Sequence, residues 1–219
     1  MKREINLLDS HPKTFRDYDK RAKEKTPEII RLAKQFGKDF FDGDRKCGYG
    51  GYVYDGRWRS VVKRMKDFYR LADNAAILDV GCGKGFMLHD FKELMPNSTI
   101  AGIDISAYAI ENAMPSVKPF LKVASAENLP FPGKSFDLVV SINSIHNLPP
   151  ERLKAALKEI QRVCRGDSYI TVDAWRNEKE RENLFKWVLT AETMMHVDDW
   201  KKLFLETGYT GDYWWFIAD

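Results

Sequence analysis

The sequence predicts an α/β fold, a mostly parallel sheet with helices on both faces, preceded by an N-terminal extension of helices and loop. Two observations carry this. From residue 75 onward, short β-branched apolar runs alternate with helical patterns. The runs are apolar throughout, as strands covered on both faces must be. Each parallel connection has to cross over the sheet, which the intervening helices allow. Before residue 73 the alternation is absent, so an extension (1–72) and a core (73–219) are expected within a single domain of 219 residues.

In the extension, TPEIIRLAKQF (26–36) opens on Thr then Pro, a helix start signal, and sets Ile29, Ile30, Ala33 and Phe36 on one face. The stretch 42–58, DGDRKCGYGGYVYDGRW, is dense in Gly, Tyr and Asp and reads as an ordered loop with tight turns. A helix from about Arg59 to Leu71 follows, with Val61, Val62, Met65 and Phe68 in its apolar stripe. In the core, AILDV, TIAGIDI, FLKVAS, DLVVSI, SYITVDAW and DYWWFIA read as strands. FMLHDFKELM, AYAIENAM, PERLKAALKEIQRVC and a segment near 196–207 read as helices. Periodicity leaves the direction of the last strand open, antiparallel pairing included.

Composition narrows the class. With 44% hydrophobic and 13% aromatic residues the chain can bury a full core. No apolar run approaches the roughly 18 residues that cross a bilayer, and MKREINLLDSHPKTF lacks the apolar centre of a secretory signal. Cys47, Cys82 and Cys164 are odd in number and widely spaced, which suits a reducing compartment. A soluble cytoplasmic protein is expected. Residues 1–46 hold thirteen Lys/Arg against nine Asp/Glu with the signs interleaved, a pattern of solvated helix faces more than of a nucleic-acid footprint.

The strongest local signal is Ile77-Leu78-Asp79-Val80-Gly81-Cys82-Gly83-Lys84-Gly85, an apolar strand running into glycines at every second position and then a helix. Glycines there let the backbone turn sharply and a ligand lie against bare main chain. A glycine-rich strand-to-helix turn by itself also suits a dinucleotide. Spacing and charge separate the cases: the third glycine follows after one residue instead of two, and Asp79 just before the turn would repel a pyrophosphate while favouring a cation.

This segment resembles motif I of the class I S-adenosylmethionine-dependent methyltransferases, acidic-x-Gly-x-Gly-x-Gly, and the resemblance extends over about residues 75–173. It implies a Rossmann-like core whose N-terminal extension caps the active site. It also implies S-adenosylmethionine as cofactor and S-adenosylhomocysteine as product, held by Asp79, Gly81, Cys82, Gly83 and Gly85. Asp104, with Ile105 after it, stands where the family's acidic residue binds the ribose hydroxyls, a task for a carboxylate with two acceptor oxygens. Ser125, Ala126 and Glu127, in ASAENLPF, resemble the adenine-binding stretch, with Ser125 where the family usually has Asp. Asn143, leaving the fourth strand, falls beside the methionine part.

The acceptor is expected beyond the carboxyl ends of the strands. There the sequence offers SINSIHNLP (141–149), in which His146 is the candidate general base because an imidazole titrates near neutrality. A packing or hydrogen-bonding role for His146 stays open. Tyr49, Tyr52, Tyr54, Arg57 and Trp58 of the aromatic loop, with Asn147 and Trp175, are candidate acceptor contacts, combining flat apolar surface with directed hydrogen bonds. No metal is expected, because Asn143 and Asp173-Ala174 offer one carboxylate where metal-dependent relatives carry several.

The reading is methyl transfer to an oxygen, or second to that a nitrogen, of a small polar metabolite such as a sugar, by a monomer or homodimer without membrane contact. Nucleic acid is disfavoured as partner for want of a dense basic cluster. An RNA or protein methyltransferase and a non-catalytic cofactor-binding subunit remain as alternatives.

Overall fold

The computed structural model describes residues 3–12 and 15–219; Met1, Lys2, Lys13 and Thr14 of the polar leader lie outside them. The strands are β1 Ala76–Val80, β2 Thr99–Asp104, β3 Leu121–Val123, β4 Phe136–Ile142, β5 Cys164–Trp175, β6 Met195–His196 and β7 Asp212–Phe216. They join in one sheet of order β3-β2-β1-β4-β5-β6, with β7 pairing β5. All pairings are parallel, β7 included, its Asp212–Phe216 running alongside Tyr169–Asp173. The expected mostly parallel sheet with helices is therefore present, and the strand left open runs parallel.

The helices are α1 Tyr18–Glu24, α2 Pro27–Ala33, α3 Lys38–Phe41, α4 Arg59–Tyr69, α5 Phe86–Leu94, α6 Ala107–Glu111, α7 Pro150–Val163, α8 Glu178–Trp187 and α9 Val197–Glu206. Thr26 caps α2, its side chain accepting from Ile29 N at 3.3 Å. The helix stops at Ala33, short of the expected Phe36, whose φ of 48° is left-handed. Asn177 caps α8 in the same way, accepting from Glu180 N at 3.0 Å. Helices α1, α3 and α8 and strand β6 carry no signal in the sequence reading.

Alternation along β1 sends Leu78 and Val80 to one core cluster, under α7 and α9, and Ile77 to another, under α4 and α5. The extension belongs to that second cluster: Leu7, Val61, Val62 and Met65 are fully buried in it. The first residues are far from a free leader. Arg3 N and Nη2 donate to the buried Asp212 carboxylate at 2.8 and 2.6 Å, Ile5 N donates to Tyr213 O at 3.0 Å, and Leu7 N donates to Tyr169 Oη at 3.2 Å. They run along β7 and close its edge.

Candidate active site

A parallel sheet leaves its helix N-termini and strand carboxyl ends at one edge, and the site is built there. The carboxyl ends of β1, β2, β4 and β5 open into a cleft of ≈ 1350 Å³. Its floor is the glycine turn. Gly81, Gly83 and Gly85 have φ of 87°, 54° and 78°, values that favour residues without Cβ. A Cβ on Gly81 would lie 1.9 Å from Ser144 Oγ, and one on Gly83 would lie 3.2 Å from the Tyr52 ring. The turn is a cradle that side chains would fill. Gly85 serves packing instead: its Cβ would strike Val117 at 2.7 Å and Leu121 at 2.9 Å, and it does not line the cleft.

Two buried carboxylates stand on this floor. Asp104 accepts from Gly83 N through Oδ2 and from Ser106 N through Oδ1, both at 2.8 Å. Those donors fix the group and leave each oxygen a further lone pair. Asp79 lines the same cleft at 4% exposure, and no donor among the described residues meets its carboxylate. Burial, with the Asp104 charge adding to it, pushes Asp79 up to about 8, and burial raises Asp104 as well, against its backbone hydrogen bonds. A pair of desolvated acids of which one is unpartnered favours a cationic or hydrogen-bond-donating ligand.

Ile105, Ser125, Ala126 and Asn143 also line the cleft, as does Cys82, whose buried thiol is pushed well up. Glu127 does not line it; its carboxylate turns outward to Arg152, 2.8 Å from Nη2 to Oε1. Asn143 adopts φ 49° and is pinned by Thr171, whose Oγ1 accepts from Asn143 N at 2.9 Å and donates to Asn143 Oδ1 at 2.8 Å. This leaves the amide NH₂ for the cleft.

The roof is the aromatic loop, and its clasp was not legible in sequence. Lys84, the only non-glycine besides Cys82 between the motif's glycines, sends Nζ to both Asp42 oxygens at 2.7 Å and to Tyr52 O at 3.0 Å. Asp42 also accepts from Tyr108 Oη at 2.7 Å and Tyr52 N at 3.1 Å. Tyr52 thereby stacks on Phe86, centroids 4.7 Å apart, and packs at a tilt against Tyr49, centroids 4.4 Å apart. Tyr49, Tyr52, Arg57 and Trp58 line the cleft. Tyr54 does not: its hydroxyl bonds the buried Asp90, tying the loop to α5.

Two further expected site residues are placed elsewhere by the structure. His146 is 4% exposed and does not line the cleft. Its Nδ1 accepts from Asp173 N at 3.2 Å and its Nε2 lies 3.5 Å from Asp173 Oδ2. Both nitrogens face protein groups, and burial holds the imidazole below its usual value. It braces the end of β5 instead of presenting a free acceptor. Trp175 packs on Phe185, centroids 6.0 Å apart, outside the cleft. Asn147 does line the cleft, and its Oδ1 is buried without a partner, an acceptor left for a donor from outside the fold. No group of three or more His, Cys, Asp or Glu that could hold a metal occurs among the described residues.

The fold is the Rossmann-like fold shared by methyltransferases. Residues 77–167 match the model of the methyltransferase domain family. The chain is 33% identical over 146 residues to the tRNA (carboxymethyluridine(34)-5-O)-methyltransferase of Arabidopsis thaliana, covering 66% of this chain and 34% of that one. Demethylmenaquinone methyltransferase of Lactiplantibacillus plantarum is 35% identical over 116 residues, 49% of this chain and 47% of that one. The chain spans about a third to a half of the length of the curated relatives it matches. Among solved structures, phosphoethanolamine N-methyltransferase 2 of Haemonchus contortus, with S-adenosylhomocysteine and phosphomonomethylethanolamine, superposes with a TM-score of 0.60 at 18% identity, over 80% of this chain and 44% of that one. With a tRNA-modifying enzyme among the relatives, the expectation that nucleic acid is disfavoured finds no support in these comparisons.

Proposed function

We propose that the chain transfers the methyl group of S-adenosylmethionine to an oxygen, or second to that a nitrogen, of a small polar acceptor held under the aromatic loop. The observation that carries this is Asp79: a buried carboxylate without a donor, beside Asp104, on a glycine floor. The residues fit the cofactor. Asp104 has lone pairs for vicinal hydroxyls, Asp79 offers negative charge to a cation, and Gly81 and Gly83 leave the main chain bare. Ser125 and Ala126 offer the base its wall.

The sulfonium supplies an electrophilic methyl group. The remaining tasks fall on the chain: positioning the acceptor, excluding water and accepting a proton where the acceptor carries one. Tyr49, Tyr52 and Trp58 provide the flat apolar wall, Asn143 a donor and Asn147 Oδ1 an acceptor at the strand ends. His146 is proposed as a positioning residue that holds Asp173, not as the group that takes the proton.

The test is a calorimetric titration of the purified chain with S-adenosylhomocysteine and S-adenosylmethionine, with NAD as control. One-to-one binding of both sulfur nucleosides and not of NAD is expected; absence of both overturns the reading. A second reading, methylation of tRNA, draws on the Arabidopsis relative. Incorporation of labelled methyl into bulk tRNA, against a small-molecule extract, separates the two.

A further inference from the structure

The cleft has a second pole, of the opposite sign. Six arginines line it, and three are committed to carboxylates: Arg57 to Asp55 at 2.6 Å, Arg176 to Glu180 at 2.8 Å and Arg152 to Glu127. Arg16, Arg21 and Arg45 are not; among the described residues none has a carboxylate within ion-pair distance. These three gather round one indole. Their guanidinium carbons lie 5.6, 5.4 and 5.5 Å from the Trp187 ring, and Arg16 lies 4.5 Å from Phe216 as well. Trp187 and Phe216 line the same cleft.

Arg21 is the informative member. It is 8% exposed, and among the described residues its side chain bonds neutral main-chain carbonyls alone, Nη1 to Arg45 O at 3.1 Å and Lys46 O at 2.8 Å and Nε to Trp187 O at 3.2 Å. Its Nη2 is left over. Glu24, whose charge acts on Arg21, is itself paired with Lys20 at 3.9 Å. Burying one guanidinium against a second without a counter-charge is costly, and the charge of Arg45 indeed disfavours that of Arg21. Stacking on an indole offsets part of this. A fork of donors beside a flat apolar wall is what recognises a planar carboxylate or a phosphate. The cluster shares its cleft with the strand ends where transfer would occur, since Arg16, Asn143 and Asp173 of β5 all line it.

We propose that the acceptor carries an anionic group, a carboxylate or a phosphate, seated on Arg16, Arg45 and the free edge of Arg21 beside Trp187. The inference rests on the methyltransferase reading above: the acidic floor takes the cationic cofactor and the basic pole its anionic partner. A cleft of ≈ 1350 Å³ is large for one drug-sized ligand and suits two side by side.

The test uses the full chain and three probes, inorganic phosphate, succinate and a short single-stranded RNA, titrated calorimetrically at constant ionic strength so that screening is equal. Wild type is compared with Arg16→Gln/Arg45→Gln and with Arg31→Gln/Lys158→Gln, two exposed sites outside the cleft. Phosphate or succinate should saturate one site in wild type and in the control pair and bind at least tenfold more weakly to the first variant. Which of the two binds tighter distinguishes phosphate from carboxylate. Equal binding by all three proteins, or none that saturates, overturns the proposal. RNA binding that depends on Arg16 and Arg45 while both small anions fail also overturns it. S-adenosylhomocysteine is titrated in parallel. Its binding to both variants with wild-type affinity locates the loss at the anion pole, whereas anion binding without any S-adenosylhomocysteine binding would sink the methyltransferase reading and leave the anion site standing.

Discussion

Lys84 Nζ sits 2.7 Å from both oxygens of Asp42, joining the glycine turn of the core to the start of the aromatic loop across 42 residues of sequence. The lysine is buried, and its third contact, Tyr52 O at 3.0 Å, fixes the ring that lies over Gly83. The extension is thus clasped directly to the glycine floor.

Breaking the clasp should cost both stability and binding. Asp42→Asn leaves the Lys84 charge without a counter-charge, a loss of about 3 kcal/mol for a largely buried pair. A chain of this size should then melt roughly 6–12 °C lower. S-adenosylhomocysteine affinity should fall about tenfold as Tyr52 is released. Unchanged melting and binding would show the clasp to be idle.

Asp79 makes the unliganded protein sensitive to pH. Its carboxyl is pushed up to about 8 by burial and by Asp104. Between the ordinary carboxylate value and about 8, the folded chain therefore keeps a proton that the unfolded chain has lost. The folded state binds more protons in that window, so stability falls as pH rises through it. Asp79→Asn should raise the melting temperature by several degrees at pH 8, leave it unchanged near pH 3.5 and weaken cofactor binding. A parallel shift at both pH values would contradict this.

The same group should sort cofactor from product. Both molecules carry an α-ammonium, but only S-adenosylmethionine adds a sulfonium. Its preference over S-adenosylhomocysteine should grow as pH rises towards about 8 and Asp79 ionises, and this growth should vanish in Asp79→Asn. Calorimetry at pH 6, 7 and 8 measures it directly.

Gly81 is required twice over, by its φ of 87° and by Ser144 Oγ, 1.9 Å from where a Cβ would be. Gly81→Ala should destabilise by about 2–4 kcal/mol, the sum of left-handed strain and overpacking. Adding Ser144→Gly removes the collision but not the strain, so the double variant should recover only part of the loss in a denaturant titration.

His146→Ala should act through the fold. The change leaves Asp173 N–H and the Asp173 carboxylate without their partner, a loss of about 2–4 kcal/mol. S-adenosylhomocysteine affinity should stay within about threefold of wild type. Once an acceptor is in hand, the acid limb of the pH–rate profile should persist in the variant; its disappearance would restore His146 as a general base.

The core was legible because its signals are local. Ile77 to Gly85 states strand, turn and helix in nine residues, and Asp104 follows at the end of the next strand; apolar runs state that the sheet is covered on both faces. Helix α8 was missed because EKERENLFKW is mostly charged and sits between two strong patterns. Strand β6 is two residues long, too short for any period. His146 read as a base because an imidazole in a loop at the strand ends has the right chemistry, and only the packing shows both of its nitrogens turned towards Asp173.

By itself the sequence determined the parallel sheet, the glycine floor and the two carboxylates on it, since each follows from residues adjacent in the chain whose backbone preferences and charge do not depend on distant partners. The tertiary structure decided what stands above that floor. Lys84 with Asp42, and Arg16, Arg21 and Arg45 with Trp187, are pairings of residues far apart in sequence. Their charges acquire a role only when folding buries them together and removes the water that would otherwise screen them.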